Sequence, residues 1–327
     1  MKKSIISFVT VSVLLIITIV YSAITGSIKV GAWDFVTNLF SSSNEQVEIV
    51  KDLRLPRIIV SLFSGAALAL SGALLQSVLR NPLADAGVIG VSSGASFFSL
   101  LLVTLLPQYF FWTPLFAFIG GTVSCFLIYL LSWRSGLHPI RILLIGIAIN
   151  AMFVGLTQAF ITVCSYLGKI PDQSTSSNLS MRTWDDVQIV TTYGLIGIIL
   201  AFFLYPWCNM LLLQDKTARN LGLNVGMARI VISGVAVLLA AIATAVGGVI
   251  AFIGLLIPHI SRNIVGTDHR LLLPFSALSG ALLILLADTF GRTIIAPSEI
   301  PASTIMAIIG GPFLIFLLKR SDKVHAD

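Results

Sequence analysis

The sequence predicts an all-α polytopic membrane protein of about ten transmembrane helices, forming a single domain over residues 1–327. Two features predict it. Of the 327 residues, 57% are hydrophobic and only 10% are charged, against about 25% charged in an ordinary soluble domain. Apolar runs of about 18 or more residues recur along the whole chain, each long enough to cross a hydrocarbon core of about 30 Å as a helix.

The first run, 4–25, follows Lys2 and Lys3, a charge pattern shared with secretory signals. Its length exceeds the apolar part of such a signal, so it reads as an uncleaved first helix. Further spans are expected at 58–79, 87–106, 111–132, 140–164 and 189–212. After a polar loop at 214–227, four more are expected at 228–247, 249–265, 271–290 and 301–318. The 249–265 span is short and broken by Pro258, whereas Pro56 suits the first turn of the second span. Small residues such as Ser61, Gly65 and Ala69, Gly90 and Gly94, and Gly247, Gly248 and Gly254 predict close approach of helix backbones.

An even number of spans puts both termini on one side. With that side cytoplasmic, only seven of the 20 Lys and Arg residues (Lys29, Lys51, Arg54, Arg57, Lys169, Arg182 and Arg292) fall outside and 13 inside, as the positive-inside rule requires. The external segments 26–57 and 168–188 are polar but too short for a further domain.

The net charge of +6 is scattered between apolar segments and forms no basic stripe, which argues against nucleic acid. Cys125, Cys164 and Cys208 each lie inside an apolar run and read as small core hydrophobes. His138, His259, His269 and His325 fall at helix ends or in the tail with no second ligand at helical spacing, so hydrogen bonding is expected of them and no metal. A secondary transporter needs ionisable residues near the midplane, and Asp85 and Asp288 lie near helix ends. Energy is therefore expected from outside the chain, which carries no G-x-x-x-x-G-K-[ST] phosphate loop of its own. The enzyme alternative is an intramembrane serine protease with Ser92 or Ser93 as nucleophile and His259 as base; no oxyanion site accompanies them.

Asn81-Pro82 and the glycines up to Gly94 mark irregular backbone at membrane depth, tolerated only where protein or a water-lined path covers it. A similar small-residue helix leads into a polar junction at 257–262, compatible with an inverted repeat of about five helices. RLPR at 54–57, NPLADAG at 81–87 and GVSSGA at 90–95 are followed by DKTARNLG at 215–222 and AFIGLLIPH at 251–259, then by DHR at 268–270, LAD at 286–288 and EIP at 299–301. In this order the strings resemble the FecCD permeases of ATP-binding-cassette importers for siderophores, haem and cobalamin. The family's Trp-x-x-Gly-Ser-Leu element is missing before the sixth span, where only Trp184 and Asp186 fit; this departure, with Lys-Ile-Pro at 169–171, is closer to haem permeases of Gram-positive iron acquisition.

The resemblance implies a permease in the bacterial cell membrane that passes an iron complex, haem or a ferric siderophore, from an extracytoplasmic substrate-binding lipoprotein to the cytoplasm, with cobalamin as the alternative cargo. It implies a second copy of the chain in a homodimer and two ATPase subunits that hold ATP and magnesium, this chain binding no cofactor itself. Arg54, Arg57 and Arg292 would dock the binding protein, and Asp215, Ala218, Arg219 and Gly222 would form a coupling helix seated on the ATPase. From the residues alone, Asp215 reads as the N-cap and Gly222 as the terminal glycine of a helix of about two turns. Asp288, one turn from Arg292, offers that arginine an intrahelical pair. Gln76, Asn150 and Gln158 are the amides expected along a path lined mainly by small and apolar residues.

Overall fold

The computed structural model describes residues 2–25, 45–133, 139–168, 179–296 and 298–324. Lys29, His138, Lys169 and His325 lie outside them, as do most of the two external polar segments. Among the described residues every regular element is helical. The first five helices are α1 (Lys2–Ile24), α2 (Glu45–Leu79), α3 (Val91–Leu105), α4 (Thr113–Trp133) and α5 (Pro139–Tyr166). Four short ones follow: α6 (Trp184–Ile189), α7 (Leu195–Phe203), α8 (Tyr205–Leu211) and α9 (Asp215–Asn220). The chain ends with α10 (Val225–Gly247), α11 (Ile253–Val265), α12 (His269–Thr293) and α13 (Ala302–Val324). Seven segments are long and apolar enough to cross a membrane, and three shorter apolar helices, Val91–Leu105, Ile253–Val265 and Ala302–Ile315, accompany them.

Burial sorts the helices into centre and rim. The apolar windows of α2 and α10 are 83% and 78% buried, those of α5 and α1 only 17% and 6%. The centre is built from Leu70, Ala73 and Leu74 of α2 against Ala236, Leu239 and Ala240 of α10. There the Ser71 hydroxyl donates to the Ala236 carbonyl at 2.7 Å. Glycines set the spacing. A methyl group at Gly65 would overlap the carbonyl of Gly280 in α12, and one at Gly72 would overlap the backbone of Gly254 in α11. Lipid supplies no hydrophobic drive between helices, so such backbone contact is what holds them.

The structure departs from the expected spans where polar residues continue or interrupt a helix. α2 begins at Glu45, well before the expected 58, because Glu, Gln, Lys, Leu and Arg are good helix formers outside the apolar run. Pro56 therefore sits inside the helix and not in its first turn. α3 begins at Val91 instead of 87, since residues 80–90 form turns closed by Gly90 at φ +84°. α11 begins at Ile253 instead of 249, after Gly248 at φ +80° and Phe252 at φ +71°, and Pro258 lies within it without ending it. The span expected at 189–212 is divided into α6, a π-helical turn at Val190–Gly194, α7 and α8, the last carrying Pro206 in its first turn. Cys125, Cys164 and Cys208 are buried and free, as their apolar surroundings suggested.

Candidate functional sites at the two ends of the bundle

At one end the structure brings Arg54, Arg57 and Arg292 together from α2 and α12, but turns all three inward. Arg57, 7% exposed, donates from Nε and Nη2 to both oxygens of Asp288 at 2.8–3.0 Å. Its Nη1 donates to Glu299 at 2.8 Å. Arg54 donates to the Ala23 carbonyl at 2.8 Å, and Arg292 to the Ser22 carbonyl and hydroxyl at 3.0 and 2.7 Å. Asp288 therefore serves Arg57 across helices by hydrogen bonds, and also keeps its expected intrahelical ion pair with Arg292 at a longer 3.7 Å. The outermost member is Glu299, 37% exposed, which also accepts from Ser180 at 2.8 Å. Partial burial opposes its charge, yet the Ser180 hydroxyl and the Arg57 guanidinium hold its carboxyl below the usual carboxylate range. The cluster thus joins α1, α2, α12 and the segment before α6, with Glu299 as its solvent-facing acid.

The opposite end carries α9. Gln214, not Asp215, occupies its N-cap position; Asp215 pairs instead with Arg80 at 2.6 Å and Arg229 at 3.1 Å. Ala218 is fully buried beneath the helix, whereas Arg219 is exposed. The terminus is a Schellman motif: Gly222 N–H donates to Arg219 at 2.9 Å and Leu223 N–H to Ala218 at 3.1 Å, with Gly222 at φ +88°. Nothing crowds Gly222, so Gly222→Ala should cost only the left-handed strain of about 1–2 kcal/mol, read as a shift of a few degrees in thermal unfolding. A loss of folding in that variant would show a contact the structure lacks. A shallow surface cleft borders the motif, lined by Arg219, Gly222, Leu223, Asn224, Val225 and Gly226.

Next to that end, the junction at 80–90 is held by polar groups whose partners the sequence did not reveal. Asp85, 3% exposed, accepts from the N–H groups of Gly87 and Val88 at 2.8 and 3.0 Å, and its other oxygen lies against Gly254 in the first turn of α11. A buried carboxylate at a helix N-terminus compensates both its unpaired donors and its dipole. The glycines around it, Gly87, Gly90, Gly248 and Gly254, were the signal available in the sequence.

Gln76, expected along a path, is buried. Its amide donates to Gly254 at 2.8 Å and Ala84 at 3.2 Å and accepts from Arg262, so it braces the junction between α2 and α11. Asn150 is half-buried beside Gly90, and Gln158 is exposed on α5.

Neither candidate nucleophile of the protease alternative is joined to His259. Ser93 donates to the Gly90 carbonyl at 2.9 Å, the Ser92 hydroxyl has no hydrogen-bond partner among the described residues, and His259 packs its ring edge-on to Phe313. A serine–histidine contact instead joins Ser77 and His269 Nε2 at 2.7 Å. Both residues are buried, and the Asn209 amide oxygen lies 2.8 Å from His269 Nδ1. It is a hydrogen-bonding role of the kind expected for the histidines. No group of three or more potential metal ligands occurs among the described residues.

The chain is similar over its whole length to proteins of known type. It is 42% identical over 316 residues, 97% of its own length and 96% of the other, to the "Probable heme-iron transport system permease protein IsdF" of Staphylococcus aureus strain MSSA476, and equally so to that of strain MW2. Among solved structures it matches a chain described as a metal-chelate type ABC transporter in an inward-facing conformation, with TM-score 0.79, 28% identity and 97% and 99% of the two chains covered. At 14% identity and TM-score 0.61 it shares its fold with a chain of PsaBC from Streptococcus pneumoniae, over 88% and 95% of the two chains. The first is named as a permease protein of a transport system, and the second as a transporter. The profile of the FecCD transport family matches residues 14–320, and the chain, a multi-pass membrane protein, belongs to that family.

Proposed function

We propose that this chain is the permease subunit of an ATP-driven importer that receives haem from an extracytoplasmic binding lipoprotein and releases it into a bacterial cytoplasm. The near full-length identity to a haem-iron permease carries this reading. In it the three shorter apolar helices complete about ten crossings. The left-handed residues Gly90 and Phe252 that open α3 and α11 mark corresponding points of an inverted repeat. Both termini and α9 face the cytoplasm, and the Arg57 end faces outward.

The roles follow from that orientation. Asp215, Ala218, Arg219 and Gly222 form the coupling helix, with Arg219 and the adjoining cleft offered to an ATPase subunit that holds ATP and magnesium. Arg54, Arg57 and Arg292 form the docking end for the binding protein. Their guanidinium groups are occupied within the chain, so docking proceeds through the shape and net positive charge of the cluster, and through Glu299 exchanging partners. Two copies and two ATPase subunits assemble about a two-fold axis. α5, with the half-buried Asn150 and the exposed Gln158, lines the path, and Gln76 holds the junction at the α2–α11 contact.

The test is reconstitution of the chain with its ATPase and binding protein in proteoliposomes. Haemin entry should require ATP on the α9 side, and a ferric siderophore or cobalamin should not compete. Competition by cobalamin would transfer the assignment to that cargo. In intact cells Arg219→Cys should be shielded from an impermeant thiol reagent; labelling from outside would reverse the topology.

A further inference from the structure

Arg80 ends α2 in a conformation that most side chains avoid, at φ +49°. From there its guanidinium reaches the segment that carries α9. Nε donates to the Leu211 carbonyl at 2.8 Å, and Nη2 reaches both the Leu213 carbonyl at 2.5 Å and Asp215 at 2.6 Å. A planar fork of donors suits one residue to three acceptors in this way, and an ammonium group does not match it.

α2 in turn meets α12 at three heights. Ser77 contacts His269 near the Arg80 end, Gly65 and Gly280 touch backbone to backbone in the middle, and Arg57 grips Asp288 at the far end. Close-packed backbones leave no space for one helix to slide past the other. The segment before α9 is fastened to the same pair a second time, since Asn209 donates to Asp268 at 2.7 Å and accepts from the His269 N–H at 2.8 Å. Hydrogen bonds from the Arg270 N–H and Asn209 keep the Asp268 carboxyl below its ordinary value, and therefore charged.

We propose that Arg80 is the positioning residue that fastens α9 to the α2–α12 pair, and that this pair acts as a rigid strut carrying displacement of α9 to the Arg57 cluster. The proposal rests on reading α9 as the ATPase contact. The direct chain connection from α9 to α10 is a poor lever by comparison: it turns at the left-handed Gly222, where even an added Cβ would meet nothing within 4 Å. Asp215 also bonds Arg229 of α10, so Arg80 selects α2 as a second, stiffer receiver of the motion.

The experiment uses the full complex of permease, ATPase and binding protein with haemin in proteoliposomes, reading ATPase retention, ATP hydrolysis with and without binding protein, and haemin uptake per ATP. Arg80→Ala should keep the ATPase bound and hydrolysing. It should lose stimulation by the binding protein, with uptake per ATP falling about tenfold, a middle value for coupling between sites. Arg80→Lys should lie between Arg80→Ala and the parent. Stimulation and uptake unchanged in Arg80→Ala, with the parent complex active, would overturn the proposal alone. A parent complex that never retains the ATPase would overturn the reading of α9 and the proposal with it. If Arg80→Ala does not accumulate, the paired Arg80→Cys and Asp215→Cys variant decides. A short bis-maleimide bridge between the two should restore coupling, and a bridge that forms without restoring it would overturn the strut.

Discussion

Arg57→Ala should destabilise the protein by about 3–5 kcal/mol, the usual cost of removing one partner of a buried ion pair. The substitution would strand Asp288, which is 1% exposed. Its nearest remaining cation, the Arg292 Nε, is 3.7 Å away and outside hydrogen-bond range. The loss is thus mainly the penalty of a buried charge without donors, and only secondarily the loss of attraction. Glu299→Gln should cost far less, because Glu299 is partly exposed and solvent screens its bond to Arg57.

A second variant separates folding from docking. Replacing the pair together, Arg57→Met with Asp288→Leu, removes both charges and should recover most of the stability, since buried pairs are often matched by apolar residues of similar volume. If the cluster also receives the binding protein, the double variant should fold and still fail to be stimulated by it. Thermal unfolding in detergent at one fixed scan rate checks the first part, with the scan rate controlled because membrane proteins commonly unfold irreversibly. A midpoint for Arg57→Ala within a degree or two of the parent would mean that the ion pair contributes little.

The same pair shows what a single sequence reveals and what it hides. Span positions were legible because lipid thickness imposes a length: 228–247 became Val225–Gly247, and 271–290 became His269–Thr293. Residues 45–57 of α2 were not, since an apolar-run criterion does not register a polar helix that continues beyond the bilayer. Motif strings marked the right places without fixing the bonds. Asp215 read as a cap, and its carboxylate lies between two arginines. Gln76 read as a path residue, and its amide braces a broken junction. Arg57 and Asp288 are 231 residues apart, and no local pattern announces that pairing. Tertiary partners of this kind decide whether a polar residue in a membrane helix faces cargo, a partner protein or its own backbone.

The glycines give the other large effect, with a control built into the same chain. Gly72→Ala should destabilise by about 3 kcal/mol or more, the upper range for overpacking, because its methyl group would overlap the backbone of Gly254 in α11. The neighbour there is main chain and cannot rotate away, so α2 and α11 must separate and loosen the Gln76 and Asp85 bonds that brace the junction. Gly65→Ala should behave alike, pushing α2 from Gly280 in α12. Gly155 in α5 has nothing within 4 Å of an added Cβ, so Gly155→Ala should leave the isolated chain unchanged or slightly stabilised, by the roughly 1 kcal/mol difference in helix propensity. The three variants together discriminate packing from propensity, since each converts a helical glycine to alanine and propensity alone would favour all of them. Equal thermal midpoints for Gly72→Ala and Gly155→Ala would remove the backbone contact of α2 with α11 as a source of stability. A Gly155→Ala chain that is stable alone but fails to form dimers would place a second copy against that open face.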